Sequence, residues 1–394
     1  MWMKESIPML KQEIDPIDVE DMDPSSIPPY APAVMAIDLG AVRYNYDKIK
    51  DFVGPSTRVA AVIKANAYGF GAIPTSQTLY SAGCRDFCVA NINEALEVRP
   101  YLPMDARLYC MNGVQPGSSA LLDQHNIIPT LLSPEQAAHH NLYALQQGKR
   151  LPVAIHVDTG LSREGMTADE IDDLLHGQSL SHLDVVLCLS HLSSADEPNN
   201  PHNDVQKNAF CTLADRFPQA ERSFANSHGI ARGQDFHFSM VRPGMALFGY
   251  CSSLNDRLGL KPALTVSARI VRNRHLSPGQ PVGYNALFEA PKPMTIALIN
   301  VGYADGIIRS LTNKGFVTIG GFKAPIVGKI SMDFTTIDIT TLPKHLTAPG
   351  SWVEIVHEAE SFEALADTAG TCTYEITARL SQRFHRLYRH ESYG

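Results

Sequence analysis

RVAAVIK (58–64) is a short, β-rich apolar run that stops on a lysine, and it is the first of eight such runs. FCVA (87–90), ARLYCMN (106–112), IIPTLL (127–132), VAIHVD (153–158), VVLCLSHL (185–192), SFANS (223–227) and FSMVRPG (238–244) follow it. Amphipathic stretches with helical spacing lie between them: NEALEVRPYL (93–102), SPEQAAHHNLYALQQG (133–148), DEIDDLLHG (169–177) and QKNAFCTLADRF (206–217). Thr167, with Glu170 three residues on, predicts an N-cap for the third of these. Strand and crossover alternating eight times predict an α/β unit, a (β/α)8 TIM-type barrel over residues 34–258. A doubly wound open sheet produces the same alternation, and the pattern alone leaves that choice open.

After residue 258 the periodicity changes. LTVSARIVRNRHL (264–276), MTIALINVG (294–302), FVTIGGFKAPIVGKI (316–330), TTIDIT (335–340) and SWVEIVHE (351–358) are strand-like runs punctuated by Gly and Pro. They predict a C-terminal, mostly β domain over 259–394, closed by one polar helix around TYEITARLSQRFHRLY (373–388). At the other end, the acidic, proline-containing stretch DPIDVEDMDPSSIPPYAP (15–32) predicts a mobile extension over 1–33, outside the fold. It has no apolar core followed by a small-residue cleavage site, so it does not read as a signal peptide.

Bulk composition narrows the function classes. A chain of 394 residues, 44% of them hydrophobic, has material for two cores. The net charge of −8 without a basic run argues against a nucleic-acid partner, and no apolar stretch is long enough to span a membrane. Seven scattered cysteines suggest neither a disulfide framework nor a metal knuckle, so a cytoplasmic location and no metal are expected.

In a barrel, chemistry sits where the strands end at their C-terminal side. The polar residues there are Lys64, Asp158 with Thr159, His191, Asn226 with Ser227, and Arg242. A lysine at the edge of an apolar strand loses solvation, which disfavours its ammonium form and frees the amine as a nucleophile. Such an amine can hold an aldehyde cofactor.

The residues around Lys64 carry the argument further. VIKANAYGFGA (62–72) resembles the cofactor-attachment motif of the alanine racemase family, whose lysine carries pyridoxal 5'-phosphate. The resemblance continues in order through MAIDLGAVRYNY (35–46), FCVANINEALEVR (87–99), VDTGLSREG (157–165), LSHLSSADE (189–197), ANSHG (225–229) and VRPGMALFGY (241–250). It then runs through VGYNA (282–286), VGYADG (301–306), GKISMD (328–333) and YEI (374–376) in the β domain.

Carried over position by position, the resemblance implies a racemase acting on alanine through two bases, in D-alanine biosynthesis. Lys64 is one catalytic base, and Tyr284, supplied by the second subunit of a homodimer, is the other. Tyr68, Ser227, Tyr374 and the backbone of Gly244 and Met245 are expected to hold the cofactor phosphate, with His191 and Asn226 also lining the cofactor site. Arg242 is expected against the pyridine nitrogen; a guanidinium cannot accept a proton, so it keeps that nitrogen unprotonated and favours racemisation. Arg163 and the backbone of Met332, again from the second subunit, are expected to bind the substrate carboxylate, and Tyr303 and Asp305 to edge the entrance.

Some positions depart from the family pattern. His156 stands where the family often has a lysine that is carbamylated to steady the arginine seven residues on, so something else, such as a small anion, must orient Arg163. Leu161, Ser223, Asn285 and Leu287 also differ. They leave open a preference for serine or a broad set of amino acids. A barrel-type amino-acid decarboxylase and a non-catalytic pyridoxal phosphate carrier are the remaining alternatives. Arg242 opposes the first, and the β domain bearing Tyr284 and Met332 opposes the second.

Overall fold

A computed structural model describes residues 27–356 and 359–393, so most of the expected 1–33 extension lies outside the described residues. From Ile27 onward the chain is packed, with Ala31 buried against Val34 and Leu387. Strand β1 (Ala33–Asp38) runs into a helix (Leu39–Val53), which Asp38 caps by accepting from the Ala41 amide.

The barrel comes next. Strands β2 (Arg58–Val59) and β3 (Ala61–Val62) are one strand interrupted at Ala60. Then follow β4 (Asp86–Val89), β5 (Arg107–Cys110), β6 (Ile127–Leu131), β7 (Leu151–His156), β8 (Leu183–Leu189), β9 (Glu221–Asn226) and β10 (Met240–Arg242). Every neighbour pair is parallel. β10 pairs with β2 and β3 pairs with β4, while Ala60 donates to the Val241 carbonyl at 2.8 Å. The ring therefore closes, which sets aside the open doubly wound sheet.

Alternate residues of these strands fill the interior: Ala60, Cys88, Tyr109, Ile128, Ala154, Leu187, Leu189 and Met240 pack together. Below them, Asp86 takes Arg58 at 3.0 Å and Arg107 at 2.8 Å, and Glu221 pairs with Arg58. That ion network occupies the N-terminal end and leaves the C-terminal mouth for a ligand. Helices cover the outside as the apolar spacing requires, and Thr167 with Glu170 forms the expected capping box.

The second domain is a β structure built on β11 (Leu264–Leu276), a 13-residue strand whose first half alternates buried and half-buried residues. The short pair β12 (Pro281–Val282) and β13 (Phe288–Glu289) stands apart, and β14 (Met294–Ile299) lies against the second half of β11. A hairpin joins β15 (Phe316–Ile319) to β16 (Phe322–Pro325) through Gly320 and Gly321, both at positive φ, as a two-residue turn matched to strand twist demands. β17 (Thr335–Asp338), β18 (Trp352–Val356) and β19 (His385–Arg389) complete it.

Two elements differ from the sequence reading. β1, grouped there with the barrel, pairs with β11 and β19 and so belongs to the second sheet. The stretch expected as one closing helix is helical only over Thr373–Arg379; its end is β19, and a further helix (Ala359–Ala369) precedes it. Among the described residues no helix is long and apolar enough to cross a membrane.

Candidate active site

A cavity of about 470 Å³ opens at the C-terminal ends of the barrel strands. Its wall includes Lys64, Arg163, His191, Asn226 and Arg242, each at or just beyond a strand end, together with Tyr68, Ser227, Gly244, Met245 and Tyr374. These ten residues, singled out from sequence, are brought to one place by strand ends and by the Thr373–Arg379 helix.

Lys64 begins a turn unlike an ordinary helix. Ala65, Asn66, Ala67 and Tyr68 all take the left-handed conformation, at φ 52–55°. Non-glycine residues pay for that geometry, so something must hold it. The Glu94 carboxylate does, accepting from the Ala65 amide at 2.8 Å and the Ala90 amide at 2.7 Å. Asn66 Oδ1 accepts from Ala72 at 2.7 Å and ties the turn to the next helix. Desolvation, and then the charge of Arg163, lower the pKa of Lys64, favouring its free amine.

Arg242 is buried across the middle of the cavity wall. It donates to Ser223 Oγ at 2.5 Å and to the Ser190 carbonyl at 2.5 Å, and the Ser223 hydroxyl donates in turn to the Met240 carbonyl. Both partners are neutral. Burial lowers its pKa to about 10, so it stays charged at neutrality. A buried guanidinium held by neutral acceptors suits an electron-rich ligand atom.

Hydroxyl groups gather at one side. Ser227 Oγ accepts from the Gly244 and Ala246 amides at 2.9 and 3.3 Å. A Cβ on Gly244 would lie 2.3 Å from Tyr68 Oη, so only glycine admits the tyrosine hydroxyl so close. Tyr374 Oη is 3.0 Å from His228 Nε2.

Asp158 Oδ1 accepts from the amides of Gly160, Leu161 and Ser162, which shapes the loop carrying Arg163. Arg163 pairs through two nitrogens with Glu164, Nη2 to Oε1 at 2.6 Å. Glu164, the next residue in the chain, is the carboxylate beside Arg163. His156 and His191 are pushed down to about 4 and about 3, chiefly by burial and then by Arg242. Neutral imidazoles add no charge to the cavity, and Glu164 offsets Arg163, while the acceptors of Arg242 are neutral.

Tyr284 and Met332 are not part of this wall. They stand on the β domain at 66% and 53% exposure, with Leu287 and Phe334 also exposed. Tyr284 opens a turn in which Asn285 and Ala286 have positive φ. Tyr303 is exposed too, whereas Asp305 is buried, accepting from the Gly302 amide at 2.8 Å and pairing with Arg383 at 3.1 Å. Three residues went unassigned in the sequence: Glu94, Glu164 and His228.

Residues 37–252 match the alanine racemase N-terminal domain and residues 263–388 the alanine racemase C-terminal domain. The chain belongs to the alanine racemase family. An alanine racemase of Brucella canis is 40% identical over 372 residues, covering 91% of this chain and 94% of that relative. A catabolic alanine racemase of Agrobacterium fabrum is 39% identical over 355 residues, 90% and 91% of the two chains. The alanine racemase of Bartonella henselae, solved with covalently bound pyridoxal phosphate, superposes with a TM-score of 0.87 at 37% identity, over 91% of this chain and 99% of that one. The family's cofactor is pyridoxal phosphate and its activity is alanine racemisation. The cavity fits that cofactor: an amine with lowered pKa for the aldehyde, hydroxyls for a phosphate, and the unmatched Arg242 charge for a ring nitrogen.

Proposed function

We propose that this alanine racemase family chain interconverts L- and D-alanine by two bases, in a cytoplasmic homodimer whose active sites are each built from two chains. Lys64 holds the cofactor and moves a proton at one face of the substrate α-carbon, and Tyr284 of the partner subunit moves a proton at the other. Bound pyridoxal phosphate supplies the electron sink that acidifies that carbon. Arg242 keeps the ring nitrogen unprotonated, which directs the proton back to the α-carbon. Arg163 and the Met332 amide of the partner subunit grip the substrate carboxylate.

The observation that carries this reading is where Tyr284 and Met332 stand: exposed on the β domain and outside the wall of their own chain's cavity. The seven free cysteines accord with a reducing compartment. Mixing inactive chains tests the shared site. Lys64→Ala and Tyr284→Phe each remove one base. A heterodimer of the two has one site with neither base and one site with both. Unfolding and refolding an equimolar mixture is expected to restore about one quarter of parental alanine racemisation, followed by circular dichroism. A mixture as inactive as its components would overturn the shared site.

A further inference from the structure

His228 adjoins Ser227, faces the same cavity, and has no assigned role. Its two ring nitrogens are both engaged. Nε2 lies 3.0 Å from Tyr374 Oη and Nδ1 lies 3.0 Å from Ser253 Oγ. Cys251 Sγ is 3.4 Å from that same serine oxygen. Tyr374 is 146 residues further along the chain, so the contact links barrel to β domain.

We propose that His228 is a positioning residue for the cofactor phosphate, setting which way the Tyr374 hydroxyl proton points. The inference rests on the pyridoxal phosphate reading of the cavity. A phosphate dianion only accepts hydrogen bonds, so Tyr374 must donate into the cavity. The tyrosine oxygen then has lone pairs left, and Nε2–H of His228 donates to one. With its proton on Nε2, the imidazole must accept at Nδ1 from the Ser253 hydroxyl, whose oxygen in turn accepts from the Cys251 thiol. Every bond in that row points toward the phosphate. In the opposite tautomer Nε2 would accept the Tyr374 hydroxyl hydrogen bond, turning the oxygen's lone pairs toward the dianion.

The surroundings support a neutral relay. Burial lowers the His228 pKa, with the charge of Asp196 opposing, and burial holds Tyr374 and Cys251 protonated. Tyr374, Ser253, Cys251 and Asp196 are the polar and titratable groups that bear on the ring.

The test separates phosphate positioning from simple packing. The full chain, freed of cofactor, is titrated with pyridoxal 5'-phosphate and separately with pyridoxal, which lacks the phosphate. His228→Ala is expected to weaken pyridoxal phosphate about 5- to 20-fold and to leave pyridoxal unchanged. His228→Gln, which keeps a donor near the Nε2 position, is expected to recover most of the loss. In a Tyr374→Phe background, His228→Ala is expected to add nothing. Equal losses for both ligands, no loss for the phosphate ester, or losses that add in the Tyr374→Phe background overturn the proposal. A parent chain that binds pyridoxal phosphate no more tightly than pyridoxal overturns the cofactor reading itself, and this inference with it.

Discussion

Arg163 and Glu164 are neighbours in the chain and partners in space. The pair is partly exposed, so its contribution to global stability is small, under about 1 kcal/mol. Its effect belongs to orientation. In the proposed function Arg163 grips the substrate carboxylate, and without Glu164 its guanidinium fork loses the partner that holds it. Glu164→Gln is expected to raise KM for alanine about two- to tenfold, with a smaller change in kcat; unchanged KM would show that Arg163 is held by something else. Individual site residues differed in how readable they were. Lys64 and Arg242 stood out because an apolar strand ending in a cation is conspicuous, and the surrounding motif gave each a chemical role. Glu164 and His228 did not, because an acid next to an arginine or a histidine after a serine carries no signal until the partner atoms are seen.

The turn after Lys64 shows the same limit one level up. Hydrophobic periodicity predicts where a strand stops, but it carries no information on the hand of the next four residues. The left-handed run over Ala65–Tyr68 is held by long-range bonds, above all from Glu94. Glu94→Ala leaves two amides without their acceptor. A loss of about 1–3 kcal/mol in stability is expected, together with slower racemisation and faster hydrogen exchange at the Ala65 and Ala90 amides. Unchanged exchange at Ala65 would mean the turn holds itself. The eight barrel strands were legible because each is a short apolar run between amphipathic segments. β19 was not: its residues continue a helical pattern, and only pairing with β1 makes them a strand.

At the scale of the whole molecule, buried neutral histidines make stability depend on acid. His140 lies buried against Ser119, and burial pushes it down to about 4 from 6.5. Below pH 6.5 the unfolded chain takes a proton that the folded chain refuses until about pH 4. Its contribution is therefore present above pH 6.5 and lost as pH falls through that window, by about 1.4 kcal/mol per pH unit. Urea unfolding at pH 7 and pH 5 is expected to show a smaller drop for His140→Asn than for the parent; equal drops would place the acid sensitivity elsewhere. His156 and His191 act in the same direction. That a barrel is followed by a β-rich domain was readable from the change of period along the chain. The membership of β1 was not, because it depends on residues more than two hundred positions away. That strand has a consequence for how the protein is made. One edge of β1 waits for β11 and the other for β19, so a ribosome that has just delivered the last barrel strand has a finished barrel tethered to a bare ribbon. Until the final residues emerge, that ribbon is the place where one nascent chain can capture another.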